Sequence, residues 1–247
     1  MSEVRRSEAL WIVDHGNTRV KIGLYANTGL IEVHTFARLC AAQSFLRKHH
    51  QSRSIALLRT ARSEASEAWP PSWSYTPGSP APLQVRYRSP ATLGTDRLAA
   101  AVAAAAHYPG RSVLVVDAGT CITTEHVSAQ GEYLGGSISP GLAMRLRAMN
   151  EFTGQLPLAP VALDAESDAV ELGRDTRQAL QAGAIGGAVL EVRARLTAFR
   201  HRYGLDAQLV ITGGDGSHLQ SFLDEDCSFH EHLVLEGLAQ LYLHAQA

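Results

Sequence analysis

Two stretches of this chain, about a hundred residues apart, are built to one plan. Ala9 to Tyr25 reads ALWIVDHGNTRVKIGLY, and Ser112 to Thr124 reads SVLVVDAGTCITT. Each begins with the short apolar run of a strand buried on both faces, stops abruptly at an aspartate, turns at glycine beside Asn or Thr, and climbs back as a β-rich segment. Repetition of such a unit predicts a duplicated α/β fold that grips one ligand from two sides. Ala207 to Gly216, AQLVITGGDG, adds a third apolar strand that runs into glycines, where a flat or charged ligand can approach the backbone closely.

The first turn has the chemistry of a phosphate cradle. Gly16 tolerates the φ/ψ values of a tight turn, Asn17 is a frequent turn residue, and Thr18 adds a hydroxyl to a row of backbone N–H groups. On the return strand Val20, Ile22 and Leu24 share one face and Arg19 and Lys21 the other, so Lys21 points away from the core. Asp14 offers a carboxylate to Mg²⁺ or its waters. Taken alone, the same residues also suit an ordinary β-hairpin with Gly-Asn in its turn. The echo at Asp117 favours the cradle.

Composition removes several classes of answer. At 247 residues, 45% hydrophobic and 19% charged, the chain is globular and long enough for one large domain or two packed halves. A formal charge of −2 gives no overall attraction for nucleic acid or anionic lipid, so neither partner is expected. Cys40, Cys121 and Cys227 are odd in number and widely spaced, which points away from a disulfide framework or zinc site and toward a reducing cytoplasm. The start, MSEVRRSE, leads into too few apolar residues for a signal peptide, and the longest apolar run, Leu98 to Ala106, is far too short to span a membrane.

Local patterns predict the remaining elements. Leu30 to Phe36 reads as a third antiparallel strand, Ala41 to His50 as a short helix, and Ile55 to Arg59 as a strand. Trp69 to Pro90, rich in Pro and Ser, is irregular except for a strand near Leu83 to Arg88; it reads as a surface connection or as a segment that closes over a ligand. Alanine-rich DRLAAAVAAAAHY from Asp96 forms a closely packed helix. Gly131-Glu132 joins a hairpin, and Ser139-Pro140-Gly141 opens a helix with a capping serine and with Leu142, Leu146 and Met149 as its buried stripe. Asp175 caps a helix near Thr176 that glycines 183, 186 and 187 interrupt; Leu190 to Tyr203 continues it and Gly204 ends it. A final helix runs from about Glu231 to His244. No linker separates independent domains, and the halves fall at 1–110 and 111–247.

Absences narrow the chemistry further. There is no G-x-x-x-x-G-K-[ST] loop, no G-x-G-x-x-G after the first strand, no G-x-S-x-G elbow and no H-E-x-x-H. His230-Glu231-His232 is the densest histidine cluster, at a helix start where a solvated face is the plainer reading than a metal site. Asp96, within Gly94-Thr95-Asp96-Arg97, reads either as a helix cap or as a catalytic carboxylate.

Asp14-His15-Gly16-Asn17-Thr18-Arg19-Val20-Lys21, Gly94-Thr95-Asp96-Arg97, Asp117-Ala118-Gly119-Thr120, Gly135-Gly136-Ser137-Ile138-Ser139-Pro140-Gly141 and Thr212-Gly213-Gly214, taken in this order over nearly the whole chain, resemble the type III pantothenate kinases. That resemblance implies duplicated ribonuclease-H-like halves of the acetate and sugar kinase/actin-like ATPase superfamily. It also implies ATP-dependent phosphorylation of pantothenate to 4'-phosphopantothenate, the first step of coenzyme A biosynthesis.

Position by position, the resemblance puts the ATP phosphates at Asp14, His15, Gly16, Asn17, Thr18, Arg19, Val20 and Lys21 and at Thr120. It makes Asp96 the general base. It gives pantothenate contacts to Tyr87, Gly94, Thr95, Arg97 and Thr176, and Asp117 to a monovalent cation, K⁺ or NH₄⁺, alongside Mg²⁺. A homodimer is implied too, for which Gly183 to Ala188 offers a small-residue helix surface; packing within one chain explains that surface equally well. Cys121, Glu125 and His15 depart from the family's usual residues beside the ATP site. Two competing functions are an ATP-binding transcription accessory protein of the same fold and a sugar or acetate kinase, whose larger substrate domain is hard to fit here.

Overall fold

The computed structural model describes residues 9–27, 29–50, 53–59, 69–162 and 172–247. The MSEVRRSE start lies outside them. The chain packs as two units. One comprises residues 1–109, 131–134 and 232–247, the other 110–130 and 135–231.

In the first unit, β1 (Leu10–His15), β2 (Val20–Ala26) and β3 (Gly29–Phe36) form an antiparallel meander, α1 (Leu39–His49) follows, and β4 (Ile55–Arg59) returns parallel to β1. The sheet order is β3-β2-β1-β4. Strand alternation splits β1 between two cores, as its apolar run predicts. Trp11 and Val13 join Val20, Ile22, Leu24 and Leu57 against Leu46 of α1. Leu10 and Ile12 join Ala56 and Leu58 on the other face, against Leu235, Leu238 and Ala239 of the last helix.

That helix, α7 (Leu233–Gln246), follows 231 but packs with the first unit, so the boundary expected at 110/111 does not describe how the last helix is packed. Its leucine stripe covers β1 and β4, and α2 (Thr95–His107) packs on it in turn. A Cβ at Gly237 would overlap the Ala99 carbonyl, which explains the alanine-rich sequence of α2: the two helices are in backbone contact. Irregular chain from Trp69 is pinned to β4 by Trp73, whose backbone pairs with Ile55 and Leu57 and whose ring meets Tyr242 edge-on. The strand expected near Leu83 to Arg88 is only the two residues of β5 (Gln84–Val85), paired in parallel with Glu132 and Tyr133.

The second unit repeats the strand plan. β6 (Val113–Ala118), β7 (Cys121–Val127) and β8 (Glu132–Pro140) are neighbours in sequence order, and β9 (Gln208–Thr212) returns parallel to β6, followed by β10 (Cys227–Phe229). Between β8 and β9 lie α3 (Leu142–Glu151), α4 (Thr176–Gln181), a π turn over Ala182–Gly186 and α5 (Gly187–Tyr203). Asp175 caps α4 by accepting the Gln178 N–H at 2.8 Å, and Gly204, with φ +111°, ends α5. A short α6 (Gly216–Gln220) follows β9. Ser139-Pro140-Gly141 does not open a helix as expected: Ser139 and Pro140 still belong to β8, and Gly141 is the residue that precedes α3.

The contact between α2 and α7 gives a direct test. Gly237→Ala should lower stability by about 1–3 kcal/mol, the usual cost of overpacking, and so lower Tm by several degrees. Gly154→Ala, where an added Cβ meets nothing within 4 Å, should leave Tm nearly unchanged. Equal melting of both variants would contradict the packing.

Candidate active site

Asp14 and Asp117 occupy equivalent places, each the fifth residue of a six-residue strand, and each strand is buried at every other position. Both carboxylates therefore emerge where the apolar strand runs out. In the first unit, Asp14 lies on the face of β1 that carries Leu10 and Ile12, directly opposite Lys21 of β2 in the ladder. Paired residues share a face, so the lysine stands beside the aspartate. Burial pushes the Asp14 carboxyl up to about 6; Lys21 opposes the shift and the negative Asp96 adds to it. Two carboxylates from separate elements thus sense one another.

The turn beyond Asp14 is closed by Gly16 N–H donating to the Arg19 carbonyl at 3.1 Å, with Asn17, Thr18 and Arg19 exposed at its tip. His15 and Val20 are buried on the opposite face from Asp14. His15 lies edge-on to Trp69, 6.0 Å between ring centroids, and burial together with Arg59 holds its imidazole below the usual pKa, hence neutral at pH 7. Val20 is in the core, so only its backbone is available to a ligand.

Asp96 is the second residue of α2, not its cap; Gly94 holds that place. Its Oδ1 accepts the Arg97 N–H at 3.0 Å, which suits a carboxylate at the positive end of a helix. A Cβ at Gly94 would come within 2.5 Å of that oxygen, so glycine leaves the room the carboxylate occupies. Arg97 is buried, its guanidinium carbon 6.0 Å from the centre of the Tyr87 ring, and Thr95 is half-buried at the first helical position. The first unit therefore brings Lys21 and Asp96 each within electrostatic reach of Asp14, and Tyr87 against Arg97.

In the second unit, two loops converge on the Asp117 turn. Gly119 N–H donates to the Cys121 carbonyl at 2.9 Å, and Thr120 is exposed. Gly141 N–H donates to the Thr120 carbonyl at 3.1 Å, and a Cβ there would overlap the Gly119 and Thr120 carbonyls. Gly213, with φ +95°, lies so close that a side chain would strike both the Ala118 carbonyl and Asp117 Oδ1, while Asp215 N–H donates to Ala118 O at 2.8 Å. This convergence lies at the carboxyl ends of parallel β6 and β9, where open α/β sheets bind ligands. Thr176 is exposed at the start of α4 in the same unit.

One feature escapes a reading of spacing. Arg145 of α3 donates to Ser139 Oγ, to the Pro140 carbonyl and to Glu191 of α5, tying the end of β8 to a helical residue 46 positions beyond the arginine. No local sequence signal pairs those residues. Glu125, another departure from the family's usual residues, is fully buried in β7 opposite Val115, and Cys121 is half-buried as the first residue of β7.

The duplicated meander, with an aspartate near the end of the first strand of each copy, has the fold of the acetate and sugar kinase/actin-like ATPase superfamily. A 2-dehydro-3-deoxygalactonokinase-like protein from Sinorhizobium meliloti superposes with a TM-score of 0.58 over 96% of this chain and 99% of its own, at 14% identity. A protein described as a Baf family transcriptional activator, from Campylobacter jejuni, superposes at 0.62 over 96% and 98%, at 22% identity, a likeness that speaks to the fold alone. Within the class, the chain belongs to the type III pantothenate kinase family, whose sequence model matches residues 10–197. A type III pantothenate kinase from Bacteroides fragilis is 37% identical over 240 residues, covering 93% of this chain and 96% of that one. The chain is accordingly a transferase that phosphorylates pantothenate with ATP in coenzyme A biosynthesis, and its family implies a divalent metal. The transcription-accessory alternative is not favoured. No helix among the described residues is long and apolar enough to cross a membrane.

Asp14 yields a pH prediction. Its carboxyl ionises near 6 in the folded chain against an ordinary 3.8, so folding favours the protonated form and stability falls as pH rises from about 4 to about 6, then levels. Asp14→Asn removes that penalty. Its Tm relative to the unsubstituted protein should be at least ~2 °C more favourable at pH 8 than at pH 4.5. The same offset at both pH values in thermal melts would contradict a buried, raised carboxyl.

Proposed function

We propose that Asp96 is the general base that accepts the proton of the pantothenate primary hydroxyl as its oxygen attacks the γ-phosphorus of ATP. The supporting observation is its position: a half-buried carboxylate at a helix N-terminus, within electrostatic range of Asp14. Phosphoryl transfer asks chiefly for positioning and for positive charge on the transferring group, and a poor nucleophile gains from a carboxylate within hydrogen-bond reach.

Lys21 and the backbone N–H groups at the tip of the turn, Asn17 to Arg19, serve the ATP phosphates in this reading, with Thr120 contributing from the second turn. Asp14 suits Mg²⁺: a hard oxygen donor whose burial disfavours the bare anion fits a small divalent cation, directly or through its waters. When bound, that ion neutralises charge on the phosphates. Asp117 is assigned to the monovalent cation, K⁺ or NH₄⁺. Tyr87, Gly94, Thr95, Arg97 and Thr176 contact pantothenate. Arg97 is suited to a carboxylate because its guanidinium is held over the Tyr87 ring. A homodimer in the cytoplasm completes the proposal.

Replacement of Asp96 by Asn should leave nucleotide affinity nearly intact and slow turnover on the order of 10²-fold or more. Thr120→Ala should instead raise the KM for ATP with little change in pantothenate binding. Steady-state kinetics and calorimetric titration of each ligand read both effects. Near-normal turnover in the first variant would remove Asp96 from the chemistry.

A further inference from the structure

One peptide group in the second unit is held from both sides. Gly141, buried between β8 and α3, donates its N–H to the Thr120 carbonyl at 3.1 Å, and the Pro140 carbonyl of the same peptide accepts from Arg145 Nε at 2.8 Å. The peptide is planar and trans, so its oxygen and its N–H point in opposite directions, and whatever orients one orients the other. Each bond also polarises the peptide in the sense that strengthens the other. On the Thr120 side there is no room for adjustment: a Cβ at Gly141 would overlap the Gly119 and Thr120 carbonyls.

Arg145 is itself braced. Its Nη2 donates to Ser139 Oγ at 3.3 Å and to Glu191 Oε2 of α5 at 2.5 Å, and Glu191 Oε1 accepts from Arg195 Nε and Nη2 at 3.1 and 2.9 Å. Burial alone would raise the Glu191 carboxyl, but hydrogen bonds from Arg145, Arg195 and Ser139 outweigh it and hold the carboxyl below its usual range, so it is ionised at pH 7. The Arg145 and Glu191 side chains are only 20% and 21% exposed, which limits the screening that weakens surface pairs. A salt bridge that served only to pack α3 on α5 would need no bond to the Pro140 carbonyl. We propose that Arg145, braced by Glu191, is a positioning residue for ATP: it fixes the Pro140-Gly141 peptide and, through it, the Thr120 turn. The inference rests on the assignment of Thr120 to the ATP phosphates and names the side chains that set that turn before the nucleotide arrives. A single ammonium lacks the fork that lets one guanidinium serve the Pro140 carbonyl and Glu191 together, so lysine is a poor substitute.

The test uses the full-length protein and its Arg145→Ala, Arg145→Lys and Thr120→Ala variants, with Arg200→Ala as a control. Arg200→Ala breaks another ion pair of α5, Arg200 Nη1 to Glu225 Oε2 at 2.8 Å, and should lower Tm without changing the KM for ATP. Arg145→Ala should raise the KM for ATP by about 10-fold, the loss expected for a charged hydrogen bond, and keep the KM for pantothenate within about 3-fold of the unsubstituted value. Hydrogen exchange of the Gly141 amide, followed by NMR without nucleotide, should be faster in the same variant by about 10-fold or more. An unchanged KM for ATP, an unchanged Gly141 exchange rate, equal losses for both substrates, or an equal rise in the Arg200→Ala control overturns the inference. If Arg145→Ala fails to fold, Arg145→Lys decides: it keeps the charge, should raise the KM for ATP by at least about 3-fold, and overturns the inference if it matches the unsubstituted protein. Failure of the Thr120 assignment shows separately, as an unchanged KM for ATP in Thr120→Ala beside faster Gly141 exchange in Arg145→Ala.

Discussion

A carboxylate held at the end of a strand buried on both faces is the constraint from which the rest follows. The apolar run that precedes Asp14 leaves no place for charge except at its tip, where Lys21 stands opposite and Asp96 approaches from α2. Burial removes much of the water that would stabilise the anion and so raises the carboxyl pKa to about 6. The duplicated strand plan presents Asp117 at the matching point of the second unit, where Gly213 comes close to its carboxylate.

Close backbone approach is the second recurring device. Gly141 against the Gly119 and Thr120 carbonyls, Gly213 against Ala118, and Gly237 against Ala99 are positions where any side chain would collide. The first two shape the second turn by drawing distant loops onto it. The third lets α2 lie flat on α7, which in turn seals the face of β1 that ends in Asp14. Helix packing and the chemistry of the first site are therefore linked through one sheet: loosening α2 from α7 would move Asp96 relative to Asp14.

Much of this is legible in the sequence because it is local. The β1–β2 hairpin, the Asp175 cap and the end of α5 at Gly204 follow from alternation, capping and turn chemistry within a few residues. The placement of α7 is not local. Its leucine stripe announces a buried face, yet nothing in the stripe says that the face is Leu10, Ile12, Ala56 and Leu58. Ser139-Pro140-Gly141 carries the letters of a helix start, but the hydrogen bond from Gly141 to Thr120 keeps that chain extended. The order of motifs revealed the kinase, while the proximity of Asp14 to Asp96 and the closure of Arg145 on Glu191 depend on tertiary packing.

The central claim is that these strand-end carboxylates serve transfer of a phosphoryl group from ATP to the primary alcohol of pantothenate. Its most direct test is to incubate the purified protein with Mg²⁺, K⁺, pantothenate and ATP labelled with ¹⁸O in the γ-phosphoryl group, and to follow the products by mass spectrometry. The account predicts labelled 4'-phosphopantothenate formed in step with ADP. ADP accompanied only by labelled inorganic phosphate, or no consumption of ATP at all, would contradict it.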